Sequence, residues 1–242
     1  MQSAPSSTLS GPRLVRQLAA LAGSAADAPV QPLSQLLSQW LEWKQAVALA
    51  RVLDAAPATA DLAPAGDGDA AALVASTRAA LAQSLVRDRA FAAPPDGPRP
   101  PYEWTWFQQR HLALQHLIES GTGRLREQLR QRLAAASPAL ARLAAIDAVM
   151  EQALGRPTRT LLARATPVLE HRFKTLQPPV DASLPATPQA PAAPETPAWL
   201  DSFLHDLREL LLAELDIRLQ PAEGLLAALG PASVEPHATN PS

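Results

Sequence analysis

The residues that could do chemistry are few and widely spaced. His111 and His116 lie five apart, which on a helix sets them on different faces. A two-histidine metal site uses an i, i+4 pair, and Glu119 beside His116 has no second carboxylate–histidine pair to join. Asp201, His205 and Glu209 recur every fourth residue on one helical face. Carboxylates placed there would raise the proton affinity of the imidazole, although such a trio reads first as a solvated strip. Gly121-Thr122-Gly123-Arg124 could hold an anion at a helix N-terminus. It lacks the lysine and spacing of a phosphate loop and follows no strand, so a helix-to-helix turn is the simpler reading. Serine, histidine and aspartate occur without a glycine-flanked nucleophile elbow. The residues therefore read as a protein that is not an enzyme, with no catalytic, cofactor-binding or metal-ligating set.

Arg124, Arg126, Arg130 and Arg132 are the one case for nucleic acid. Guanidinium suits phosphate, and a basic helix face steers a polyanion inward. Against this, Glu127 interrupts the patch, and the chain's pI is near 6.2, whereas a domain that holds many phosphates usually exceeds ~9. The charge is unevenly spread. Residues 1–98 carry −1, residues 99–176 carry +6 and residues 177–242 carry −7, for a total of −2. Opposite fields of this kind would guide the closing segment onto the body, or two copies together, and this reading is preferred over nucleic acid.

The elements that must position these residues read as helices. The 242 residues contain 25 prolines, 4% aromatics and no cysteine. No cysteine means no disulfide, zinc ribbon or thiol nucleophile. No alternating β-branched run occurs, so the class is all-α: an irregular multi-helix bundle with a Pro/Ala-rich linker before a C-terminal helical pair. No apolar run reaches the ~18 residues that a spanning helix needs. Gly23 cuts short the weak apolar stretch after Arg13 and Arg16, so no signal peptide is expected and the cytoplasm is the default location.

Residues 1–9 and 231–242 read as disordered ends, 10–176 as the helical body and 177–196 as an extended Ala/Pro linker. In the body, Gly23 ends a first helix, and a second is expected from about Leu33 to Ala55. Trp40 and Trp43 there read as core anchors rather than a binding platform. A third helix should run to about Phe91, and a fourth from Tyr102 to the Gly121–Gly123 turn. Ser137-Pro138 opens a helix ending at Gly155, with Leu140, Leu143, Ile146, Met150 and Leu154 inward and Asp147 at the margin, reaching for water. Pro157 and Pro167 should open two short helices.

Residues 197–230 organise the rest. Thr196 suits a cap, and Leu200, Phe203, Leu204, Leu207, Leu210, Leu211 and Leu215 follow helical spacing, with most acids off that face. The stripe is wide enough for several neighbours or a partner protein. Pro221 should break it, giving a hairpin whose short second helix closes at Gly230. Trp199, Phe203, Leu207, Leu211 and Leu215 are the expected interaction residues, docking helix-in-groove.

The patterns LSGPRLVRQLAALAG, LSQWLEWKQAVALARVLDA, SPALARLAAIDAVMEQAL and LLAELDIRLQPAEGLLAAL resemble a bacterial family of about this length with no assigned function. The resemblance covers nearly the whole chain, and LAELDIRLQP is its most specific part. It transfers no catalytic residue. Its members' setting beside membrane and OmpA-like peptidoglycan-binding proteins implies an accessory role in a cell-envelope system. The expectation is thus a non-enzymatic helical accessory with one or more protein partners, possible self-association among them.

Overall fold

Gly23 and Ser137 show how closely local chemistry sets the helix ends. Gly23 closes the first helix in the left-handed conformation, at φ 64°, with its N–H on the Ala20 carbonyl. The Ser137 hydroxyl accepts from Leu140 N at 3.2 Å, and Pro138 occupies the first helical position. The computed structural model describes residues 12–23, 40, 42–54, 67–92, 97–98, 100–178 and 196–230. These form α1 (Arg13–Ala22), α2 (Trp43–Asp54), α3 (Asp67–Val86), α4 (Trp104–Ala136), α5 (Pro138–Leu162), α6 (Ala165–Leu176) and α7 (Ala198–Leu229), with a short 3-10 turn at Arg89–Phe91. No strand occurs among the described residues, and the class is all-α. The expected disordered ends, residues 33–39, 41 and 55 of the expected second helix, and most of the expected 177–196 linker lie outside the described residues.

The hub is α7, which packs against α1, α3, α4, α5 and α6. Leu200, Phe203, Leu207, Leu210 and Leu211 are fully buried, and the stripe continues through Leu215, Leu219, Ala222 and Leu225. Each buried leucine or phenylalanine of this kind contributes about 1.5–3 kcal/mol. One end of the core is aromatic: Phe107, Phe173 and Phe203 have ring centroids 5.1–5.3 Å apart, with Trp104 and Trp199 on the rim. The wide stripe therefore reflects many neighbours within the chain.

Three expected breaks are absent. α7 runs through Pro221 without a hairpin, α4 through Gly121–Gly123, and α5 through Gly155 and Pro157. Pro221 removes one helical hydrogen bond, but its ring is exposed while Leu219, Ala222 and Leu225 on either side are buried. Burial of that face offsets the missing bond. Gly121 serves close packing instead of a turn, since a Cβ there would stand 2.6 Å from Leu81 Cδ2 of α3. The Thr122 hydroxyl is satisfied within the helix, donating to the Ile118 carbonyl at 2.8 Å. At the ends of α7, Thr196 makes no cap, because the helix starts at Ala198 after Pro197, and Gly230 closes it without a left-handed turn.

The inward set expected for α5 is only half-buried. Leu140, Leu143, Ile146, Met150 and Leu154 are all partly exposed, whereas Ala144, Ala153 and Leu162 are buried. α5 has α4 on one flank and α2 on another and stays open over much of its circumference. α2 buries none of its residues.

Candidate functional site

Of the expected interaction residues, Phe203, Leu207, Leu211 and Leu215 are buried in the core and Trp199 is half-buried, 5.8 Å from the Tyr102 ring. They bind the body of the same chain. The acids of α7 add ion pairs. Arg13 reaches Glu209 at 2.5 Å and Asp216 at 3.3 Å, Arg78 reaches Asp216 at 2.8 Å and also Glu223, and Arg172 reaches Asp206 at 2.8 Å. The hydrogen bond to Glu209 is the main cause that raises the pKa of Arg13. Only Arg172 of these cations belongs to the +6 segment, so the field of that segment is not what pairs with α7.

The arginines of α4 turn elsewhere. Arg126 grips Asp147 of α5 through Nε at 2.7 Å and Nη2 at 2.6 Å, a bidentate pair. Arg130 holds Asp147 at 3.0 Å, Glu151 at 2.7 Å and Glu127 at 2.7 Å. Burial opposes the charge of Arg130, but hydrogen bonds to Glu127, Glu151 and Asp147 outweigh it and raise its pKa above the ordinary guanidinium value. Asp147, expected to reach for water, is instead the anchor of this cluster, partly buried with only 13% of its side chain exposed. Sequence spacing placed it correctly near the apolar stripe, but its partners come from another helix. Arg132 pairs with Asp69 at 3.0 Å, and Arg124 is exposed. The basic face is therefore largely spent on joining α4 to α5 and α3.

The histidines do not converge. His111 is buried and His116 exposed. No group of three metal-ligating side chains occurs among the described residues. Neither ring nitrogen of His111 has a hydrogen-bond partner, and burial pushes its pKa down to about 4. Asp201 and His205 are exposed, while Glu209 goes to Arg13, so that trio does not act as a unit.

A polar set that the sequence reading missed crosses the core. Gln115 of α4 donates to Glu214 Oε2 at 2.8 Å, and Arg218 Nε donates to Glu214 Oε1 at 2.8 Å. Glu214 is 1% exposed. A signal existed: Leu207, Leu210, Leu211 and Glu214 follow the i, i+3, i+4, i+7 pattern, which puts this carboxylate on the apolar stripe.

Two cavities flank the second half of α5. The inner one, about 530 Å³, lies between α4, α5 and α7 and is lined by Arg126, Leu154, Arg159, Ile217 and Arg218 among others. The outer one, about 490 Å³, lies between the start of α2 and the end of α5, with Trp40, Arg156, Leu161 and Arg164 on its walls. Both fall within the usual range for ligand sites, about 300–1,000 Å³. Trp43, next in sequence to the groove residue Glu42, is 80% exposed, and Leu161 of the groove wall is 43% exposed. The expectation that both tryptophans anchor the core fails for Trp43, because α2 turns it to solvent.

The architecture defines an all-α bundle closed by a central C-terminal helix, with no recognisable catalytic constellation among the described residues. The chain belongs to the family described as "Protein of unknown function (DUF3348)", whose model matches residues 1–231. No curated protein and no solved structure matches it. No helix among the described residues is long and apolar enough to cross a membrane.

Proposed function

We propose that the protein is a non-catalytic accessory that holds a segment of another protein on its α2–α5 face. The observation that carries this reading is Trp43, 80% exposed on a helix that buries none of its own residues. A large aromatic left in water is unfavourable unless something covers it in use, and tryptophan and arginine are the residues enriched where binding energy concentrates. Trp40 and Leu161 supply apolar walls in the adjoining groove, and the side chains of Arg156 and Arg164 are exposed there and bond no described residue. The complementary partner is an apolar segment with acidic flanks, such as an amphipathic acidic helix. The cytoplasmic setting read from the composition and the envelope system implied by the resemblance are part of this proposal. Nucleic-acid binding has less support, since Arg126 and Arg130 would have to leave Asp147 and Glu151.

The test compares three forms purified from the native host: wild type, a Trp43→Ser/Arg156→Glu double variant, and Leu112→Ser, which alters an exposed leucine on α4. Wild type and Leu112→Ser should retain the same acidic partner. The double variant should lose it with an unchanged urea midpoint. Equal capture by all three forms would defeat the proposal. A salt titration with labelled duplex and single strand settles the nucleic-acid reading separately.

A further inference from the structure

The inner cavity holds donors without acceptors. Glu214 fixes Arg218 through Nε alone, and the two Nη nitrogens of Arg218 bond no described residue. Yet only 11% of that side chain is exposed. The Nη donors are not sealed in but reach solvent where Arg218 lines the cavity, and a mostly buried guanidinium with unspent donors favours an oxyanion. Arg159, on the opposite wall, uses only Nη1, on Glu119 at 3.2 Å, and keeps the rest of its fork available. The carboxylates in the lining, Glu119 and Glu151, are already held by Arg159, Arg126 and Arg130. They compete little for Arg218.

The rest of the wall is apolar or bare except for Thr122, Thr158 and Gln220. Leu154, Ile217 and Pro221 line the cavity, and so do the glycines of α4 and α5, Gly123 and Gly155. A Cβ on Gly123 would meet nothing within 4 Å, so the missing side chain leaves usable space. A cavity of about 530 Å³ is far larger than a simple inorganic anion requires. It suits a molecule with an apolar body as well as a charged head.

We infer that this cavity binds a small organic acid, its carboxylate or phosphate on Arg218 and Arg159 and its apolar body against Leu154, Ile217 and Pro221. The probes are benzoate, phenyl phosphate and inorganic phosphate, each added to the full chain at millimolar concentration against chloride of matched ionic strength. The readout is the thermal midpoint. Benzoate, phenyl phosphate or both should raise it by a few degrees, and the arm that responds identifies the preferred head group. Gly123→Leu fills the space with a better helix former. It should keep or raise the basal midpoint and abolish the ligand-dependent rise. Arg159→Gln, at an exposed position, should weaken binding about tenfold, as loss of one charged hydrogen bond does. No rise with either organic acid overturns the inference, as does an undiminished rise in Gly123→Leu. A response to inorganic phosphate alone, meaning an adventitious ion only, overturns it too.

Discussion

His111 is the residue whose surroundings most directly set a measurable property. The imidazole is buried between Phe107 and Leu114 in sequence phase, with both nitrogens unbonded and a pKa near 4. In the unfolded chain it would titrate near its ordinary value of about 6.5. Above that value both states are neutral and the group is indifferent to pH. Below it the unfolded chain takes up the proton first, so the native state loses ground until about pH 4. The loss attributable to His111 between pH 7 and pH 5 is about 2 kcal/mol. Urea unfolding of wild type and His111→Leu at both pH values measures it. The variant should be the more stable at pH 7, by about 1 kcal/mol, because two unbonded polar atoms are gone. It should also lose less on acidification. A steeper acid dependence in the variant would contradict this account.

Among the elements, α4 shows why glycine misleads when read as punctuation. Gly121 and Gly123 are two residues apart in one helix and have opposite environments. At Gly121 an added methyl meets Leu81, while at Gly123 it meets nothing. Gly121→Ala should cost about 1–3 kcal/mol through overpacking against Leu81 between α3 and α4, offset by up to about 1 kcal/mol of helix propensity. Gly123→Ala should gain up to about 1 kcal/mol from helix propensity. Thermal or urea midpoints of the two variants should therefore move in opposite directions. The apolar periods of α1, α4 and α7 were legible because they need only spacing along one helix. The continuity of α4, α5 and α7 was not, because burial by distant neighbours outweighs a local breaker. The same limit applies to the charges. Glu214 could be read as lying on the apolar stripe, but nothing local says that Gln115 will satisfy it. Nor does spacing reveal the two cavities, which exist only where three helices cross or where α2 meets α5.

For the whole molecule, the decisive feature is that the core converges on α7. Leu207, in the first half of its buried stripe, is fully enclosed, and Leu207→Ala should cost about 2–5 kcal/mol. A chain ending after Pro178 keeps α1 to α6 but loses the helix that five of them pack against. It should retain helical circular dichroism, bind a hydrophobic dye and show no cooperative unfolding. A peptide of residues 197–230 added in trans should restore the transition. If the shortened chain unfolds as sharply as the intact one, α7 is not the hub. The order of the helices carries a further consequence for biosynthesis. The hub is made after every helix that it gathers. At about 5–20 residues per second, the stretch from Leu176 to Leu229 takes a ribosome several seconds. Throughout that interval the nascent α1, α3 and α4 present greasy surfaces with no internal cover, which makes this chain a natural client for ribosome-associated chaperones.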